Sequence, residues 1–507
     1  MKKFCILVPV SGNQLSKDDL RIKGLLAQTS SDWVAYVLPA TKPANAEPLP
    51  GESRFSYGPE GLDSFAKLIN WAVKNGDAEF ILPLADGVVL APEALQKFAA
   101  LFASNAKTAG AFSSYAEIKG TAPRNVIKLY PHEGAPHERF DFGFVRVYRA
   151  SALQEIGGVR TDLVHAAEYD TDLRLADNKS IDLIDEPLYD VIIPETPEQA
   201  AGAKSVLHSP GKGKLGGFSY IFYPADMEKE ITGVFEETLK RRGAWIDHET
   251  VEVPYPSEPY PVLATVVIPV LNRQKYIGNA IDRVLDGTFK DFEVVVVDNK
   301  STDGTQDVVK AYAAKDKRVR LIERNGGSIA SALNEGIRNA RGKYICQLDS
   351  DDEYTPDTLE MMVSHMESHP KCGLAISYYA LMDENRNEVT GIDPITHSGY
   401  TRNQILRRDG GGALRVFPKV VLEEMGYYDE EHFGNFGEDY DMVLKTGEKY
   451  DVDRVHKVLY RYRRHSDNTD VTRDPLMKIQ NKNNARLNAL ARRKKINAKR
   501  KESAGAK

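Results

Sequence analysis

Four consecutive residues, Asp349-Ser350-Asp351-Asp352, put three carboxylates directly after an apolar run, Tyr344-Ile345-Cys346-Gln347-Leu348. Carboxylates held this close repel one another unless a cation sits among them. Hard oxygen ligands suit Mg2+ or Mn2+, ions that commonly take one or two carboxylates and complete their shell with substrate phosphates. An isolated cluster of this kind would sooner be a solvated turn or a helix N-cap leading into Pro356-Asp357-Thr358-Leu359. Its meaning therefore depends on what surrounds it. A second polar run, Asp298-Asn299-Lys300-Ser301-Thr302-Asp303-Gly304-Thr305, closes another apolar stretch. A third, Gly437-Glu438-Asp439-Tyr440-Asp441, is by itself a helix start, because acids are favoured at a helix N-terminus.

The elements that must position these groups alternate in type. Thr265 to Val270 is a continuous apolar strand ending at Leu271-Asn272-Arg273, and Ile277, Ile281 and Leu285 then recur at helical spacing. Phe292 to Val297 is a second buried strand, Val319-Arg320-Leu321-Ile322 a third, and Ser331-Ala332-Leu333-Asn334-Glu335-Gly336-Ile337 a helix face. Strands alternating with helices predict a mostly parallel sheet covered on both faces. In such sheets ligands bind beyond the carboxyl ends of the strands, where the runs starting at Asp298 and Asp349 fall. This context turns the acidic turn from a surface feature into a candidate cation site.

The pattern occurs twice. Ile6-Leu7-Val8-Pro9-Val10 answers Val266-Val267-Ile268-Pro269-Val270, Glu79 to Leu84 answers Lys343 to Leu348, and Arg146-Val147-Tyr148 answers Arg415-Val416-Phe417. The spacing between partners drifts slowly in one direction, as small loop insertions make it, whereas chance matches scatter. The 507 residues exceed what one core normally serves. The chain therefore divides into 1–208, the first α/β copy; 209–260, a connector; 261–475, the second copy; and 476–507, a basic helical or disordered tail. In the connector, Ser209-Pro210-Gly211-Lys212-Gly213 marks a loop, 226–242 is helical, and Val253-Pro254-Tyr255-Pro256 is extended.

The ordered set Val267-Ile268-Pro269-Val270-Leu271-Asn272, Val296 to Thr305, Asn334-Glu335-Gly336, Leu348 to Asp352 and Gly437 to Asp441 resembles the family 2 glycosyltransferases of GT-A fold. The resemblance covers the second half of the chain. It implies an inverting transferase that moves a sugar from a nucleotide-sugar donor to a hydroxyl of a glycan, lipid-linked or protein acceptor, with Mn2+ or Mg2+. On the donor side it implies Pro269, Asn272, Asp298, Asp303, Asn334 and Asp349, with Asp298 at the nucleobase and Asp349 at ribose or sugar. Asp351 would hold the metal, Asp439 would be the general base, and Glu438 would orient acceptor or base. Many members carry paired acids where this chain has Asp298-Asn299, which leaves the nucleotide open. In Tyr460-Arg461-Tyr462-Arg463-Arg464-His465, two readings stand side by side: His465 as metal ligand with Arg463 as diphosphate contact, or an ordinary basic strand end. Gly410-Gly411-Gly412 is either a close backbone approach near the acceptor or a flexible loop.

In the first copy Pro39-Ala40 stand at the positions of Asp298-Asn299, and Ala85-Asp86-Gly87 at Asp349-Ser350-Asp351, so a metal site is not expected there. Asp170 stands at Asp439 and is expected to begin a helix. This half should be a degenerate domain that supports the other, binds acceptor or mediates assembly; the alternative is a second, metal-independent transferase site, and for the protein as a whole the non-enzyme alternative is a non-catalytic glycan-binding scaffold. A nucleotidyltransferase would carry a glycine-rich basic loop after the first strand, and Val270-Leu271-Asn272-Arg273-Gln274 is not one. The formal charge of −6 gives no case for nucleic acid. Three cysteines without ligand spacing, no signal-like segment and no apolar run of membrane length lead to the expectation of a cytoplasmic protein, compatible with a homo-oligomer. The tail from Arg492 to Lys501 is expected to be solvated and mobile or, alternatively, to touch anionic lipid at the inner membrane face.

Overall fold

The computed structural model describes residues 2–10, 15–39, 47–138, 140–193, 223–396, 400–408 and 411–505; Gly12-Asn13, Ala40, Ser209 to Gly213 and Gly410 lie outside them. The chain forms two compact units, the first of the described residues ending at Arg242 and the second beginning at Gly243.

Unit 2 is built on an eight-stranded sheet in the order Val319–Glu323, Phe292–Asp298, Val262–Val270, Gly342–Gln347, Arg415–Pro418, Cys372–Met382, Asp451–Arg463, Glu353–Tyr354. The first four strands are parallel, and Arg415–Pro418 runs against both its neighbours. Val294 to Val297 are fully buried, as a central parallel strand with both faces covered requires. The registers Val270↔Asp298 and Val267↔Gln347 bring three strands to an end side by side. The loops starting at Leu271, Asn299 and Leu348 therefore leave from one edge, which gathers the polar runs noted in the sequence.

The helices pack as their spacing predicts. Ile277, Ala280, Ile281 and Val284 form the buried face of Ile277–Leu285. Helix Ile329–Asn339 lies so close to the sheet that a Cβ at Gly336 would stand 2.4 Å from Val267 Cγ1, which explains the glycine.

Unit 1 holds a seven-stranded sheet, Phe55–Tyr57, Trp33–Pro39, Lys2–Val10, Ala78–Pro83, Arg146–Arg149, Thr108–Ser113, Ser180–Ile184, and a separate four-stranded sheet. The order of these seven strands matches the first seven of unit 2, including the antiparallel strand in fifth place. The expected class, α/β with two mostly parallel sheets, is the one observed.

Two parts of the expected connector and tail are corrected. Helix Ala225–Arg241 is built into unit 1, where Ile231 and Val234 pack on Ala166 and Leu173. The proline-rich segment lies on unit 2, with Val253 buried against Val421 and Tyr450. The tail is one helix, Pro475–Gly505, and its inner edge is not solvated. Arg493 is fully buried, donating to Asn403 Oδ1 (3.0 Å) and the Arg402 carbonyl (2.5 Å), while Arg492 pairs with Glu448 (2.9 Å) and Asp441 (3.2 Å). Composition could not foresee this, because the partners are carbonyls and acids distant in sequence. Among the described residues no helix is long and apolar enough to cross a membrane.

Candidate active site

Strand Gly342–Gln347 delivers the acidic turn, whose carboxylates have separate duties. Asp352 is buried and accepts from the Arg463 amide (2.7 Å) and Tyr460 Oη (2.8 Å). Asp349 faces solvent, although surrounding protein and the Asp351 carboxylate push its pKa up to about 6 against the opposing charges of Arg415 and Arg273. Next in sequence, the fully buried Glu353 is ringed by Arg386 (2.8 Å), Arg463 (2.8 Å) and Arg283 (3.2 Å). Buried charge is tolerated only when so paired.

Arg463 is thereby corrected as a diphosphate contact. It is fully buried, and its guanidinium donates to Glu353, to the Asp351 carbonyl (2.7 Å) and to the Glu384 carbonyl (3.1 Å). It holds the acidic turn in shape. The cation that faces Asp351 is Arg273, with Nε 3.1 Å from Asp351 Oδ2. Sequence reading passed over Arg273 as part of a polar loop, although its place directly after the first strand was a usable signal.

His465 is brought to the acidic turn, with Nε2 3.0 Å from Asp351 Oδ2 and Tyr276 stacked on its ring at 5.2 Å. The hydrogen bonds to His465 and the Arg273 charge hold Asp351 below the usual carboxylate range, outweighing the burial that raises it. One carboxylate oxygen and one imidazole nitrogen this close fit a Mn2+-type ion. His465 Nδ1 accepts the Asp467 amide at 3.2 Å, so ligation through Nε2 requires the proton to move to Nδ1 and that long contact to open.

Opposite this pair stands helix Glu438–Gly447, started by Gly437 at φ +92°, a conformation that suits glycine. Asp439 is partly open to solvent and is held by Arg415 at 2.5 Å. Arg415 also donates to the Gly411 carbonyl (3.1 Å) and reaches Gln347 Oε1 (3.4 Å), so it ties this aspartate to the strand that carries the acidic turn. Gly412 has φ +68°, and a Cβ there would stand 3.1 Å from Ile376 Cβ, which favours close approach over a flexible loop for Gly411-Gly412. Glu438 is buried, and its Oε2 has no hydrogen-bond partner among the described residues. Burial and the Asp439 charge push its pKa up to about 8, so it is a neutral acid at pH 7.

On the nucleotide side Asp298 is fully buried. Its Oδ2 accepts from Gln306 Nε2 (2.7 Å) and the Ser301 amide (3.1 Å), and its Oδ1 has no partner among the described residues. An unpaired buried carboxylate oxygen is costly unless a ligand supplies a donor. Asn272, at φ +52°, accepts the Thr302 amide (2.8 Å) and donates its own to Ser301 Oγ (2.8 Å).

Three further expectations change here. Asp303 lies in the same loop, but its oxygens are taken by the Gln274 amide (3.0 Å) and by Thr305, so it shapes the loop. Asn334 is buried, with its amide committed to Tyr428 and Glu430 (2.8–2.9 Å). It anchors the loop ahead of Gly437, and both of its N–H groups are spent there. Pro269 lies within its strand, paired in register with Val297, and offers the site no polar group.

In unit 1, Asp86 is 92% exposed and Asp170 is buried on Arg174 at 2.7 Å. Arg146, the counterpart of Arg415, pairs with Asp172 (2.6 Å) and Glu168 (3.1 Å).

The strand ends of this α/β sheet thus carry an acidic turn and a buried aspartate with one oxygen unpaired among the described residues, beside an aspartate at a helix start. The family description "Glycosyl transferase family 2" matches residues 265–424. An uncharacterized glycosyltransferase of Methanocaldococcus jannaschii is 31% identical over 210 residues, 40% of this chain and 70% of that protein. An uncharacterized glycosyltransferase of Rickettsia prowazekii is 29% identical, over 42% of this chain and 67% of its own length. The hyaluronan synthase of Pasteurella multocida is 31% identical over 44% of this chain but only 22% of its own. The chain belongs to glycosyl transferase family 2 and is a glycosyltransferase. The family match stops short of Glu438, Asp439 and His465, so the geometry alone speaks for those residues.

Proposed function

We propose that unit 2 transfers a sugar from a nucleotide-sugar donor to a hydroxyl of a glycan, glycolipid or glycoprotein acceptor, with inversion and with Mn2+ or Mg2+, in surface polysaccharide or glycoconjugate synthesis. The observation that carries this reading is the 3.0 Å approach of His465 Nε2 to Asp351 Oδ2 at the strand ends. Asp351 and His465 would hold the cation, which when bound offsets the charge that builds on the departing diphosphate. Asp298 Oδ1 accepts an N–H from the base, which suits uracil, thymine or guanine and disfavours the N3 acceptor of cytosine. Asp439 takes the acceptor hydroxyl proton as the new C–O bond forms and the old anomeric bond to phosphate breaks. Arg415 fixes its direction, and the protonated Glu438 donates a hydrogen bond beside it.

Unit 1 supports unit 2 in this reading, because Pro39 replaces Asp298 and the Asp170 carboxylate is committed to Arg174. Lys494, Lys495, Lys499, Arg500 and Lys501 remain exposed on the last helix and suit contact with an anionic membrane surface.

Calorimetric titration of UDP, GDP, CDP and dTDP with Mn2+ into the wild type and Asp351→Ala tests the donor site. Cation-dependent binding of a nucleotide whose base has a ring N–H, lost in the variant, is the expected result; binding by none, in folded protein, refutes it. Transfer that persists in an Asp351→Ala/Asp439→Asn protein would establish a second site in unit 1.

A further inference from the structure

His365, His369 and Asp453 form the only cluster of three such side chains among the described residues able to present one ligand atom each within 4.8 Å of one another. The two histidines are one helical turn apart at the end of Thr358–Ser368, and Asp453 comes from the start of strand Asp451–Arg463. That spacing puts both rings on one face. Their centroids are 4.0 Å apart and nearly parallel, at 17°.

The hydrogen bonds prepare these nitrogens. His369 Nδ1 lies 2.8 Å from the His365 carbonyl, which can only accept, so Nδ1 carries a proton and the neutral ring keeps its lone pair on Nε2. This outer contact, reinforced by Ser368 Oγ at 3.1 Å, is the kind that orients a metal-bound histidine. His365 Nε2 faces Asp453 Oδ2 at 3.1 Å, and there a cation can replace the shared proton. His365 and Asp453 are partly buried and His369 is exposed, which leaves an entry path and room for water as a fourth ligand.

We propose that His365, His369 and Asp453 bind a borderline divalent transition ion of the Zn2+ class at a site separate from the catalytic centre. Two imidazoles and one carboxylate select such an ion over Mg2+ or Ca2+. Its place defines its role. Asp453 and Arg463 are ten residues apart on one strand, about 30 Å at the usual rise. The ion therefore joins the remote ends of a helix and a strand whose other ends frame the acidic turn, and it touches no substrate.

The test uses the full chain, freed of metal by chelation, in an Asp351→Ala background that disables the catalytic pair. Zn2+ is titrated by calorimetry, and Co2+ is followed by its visible absorption. One equivalent of Zn2+ is expected to bind, with affinity falling at least ~10-fold on adding the exposed-site change His369→Gln and likewise on adding Asp453→Asn. Zn2+ should also raise the melting temperature of the parent but not of the His369→Gln protein. No Zn2+ binding in the Asp351→Ala protein, or equal affinity with and without His369, overturns the proposal and leaves a histidine–aspartate pair closing the helix.

Discussion

Replacing Glu438 by glutamine should remove a specific pH dependence from the stability of unit 2. The carboxyl lies at about 8 in the folded protein against an ordinary value of 4.5. Between those values the folded state binds the extra proton, so its stabilising contribution is complete below pH 4.5 and disappears as pH rises through 8. The full separation would be worth about 5 kcal/mol at ~1.4 kcal/mol per unit. Because Asp439 shares the titration, we take about half, ~2 kcal/mol between pH 5 and pH 9. For a unit of this size that is roughly 4–8 °C in melting temperature. Scanning calorimetry of wild type and Glu438→Gln across this range should show the wild type losing that much more than the variant as pH rises. Asp439→Asn, which removes the neighbouring charge, should shrink the wild-type slope. Parallel pH profiles for wild type and Glu438→Gln would refute the neutral-acid assignment.

Three other substitutions probe the site and its support. Asp298→Asn can keep the Ser301 and Gln306 contacts but turns the unpaired atom into a donor; UDP binding should weaken ~10–100-fold relative to CDP in calorimetry, and an unchanged ratio would refute base recognition there. Arg415→Gln releases Asp439, so kcat should fall ~100-fold in a transfer assay while the donor KM stays nearly constant; a change confined to KM would place Arg415 at the donor instead. Gly336→Ala should cost ~1–3 kcal/mol in unfolding experiments despite the better helix propensity of alanine, because the 2.4 Å approach to Val267 leaves no room. A stabilised variant would refute that packing argument.

Periodicity made the strands and the duplication legible, since a buried parallel strand such as Phe292–Asp298 must be apolar throughout. It also fixed where the loops gather, because ligand loops in these sheets leave from one edge. It could not distribute work among neighbouring polar residues. Asp351 and Asp352 are adjacent and chemically identical, yet one faces His465 and the other is bound by the Arg463 amide and Tyr460. Arg463 and Arg273 exchanged expected standing for the same reason: burial on Glu353 commits the first, and a loop position leaves the second facing Asp351. The helix end that carries His365 and His369 and the strand start that carries Asp453 are far apart in sequence, and the register of Asp451–Arg463 beside Cys372–Met382 brings them together.

The two units show how little of the chemistry the sheet itself decides. Both keep the same strand order and an arginine on the antiparallel strand that grips the following acidic helix. In unit 1 Arg146 holds the buried Asp172 with Glu168, and Asp170 is engaged by Arg174, so all of these charges serve packing. In unit 2 Arg415 holds instead an aspartate that remains partly open to solvent. The same ion pair thus engages a buried acid in one copy and a partly solvent-open aspartate, the base of the proposed reaction, in the other, and the difference lies in which helical acid the arginine meets. Arg415 should therefore be sensitive to substitution in both stability and turnover, whereas replacing Arg146 should affect stability alone. Transfer assays at a temperature where both variants remain folded would separate these effects, and a loss of turnover in Arg146→Gln comparable to that in Arg415→Gln would overturn the division of labour.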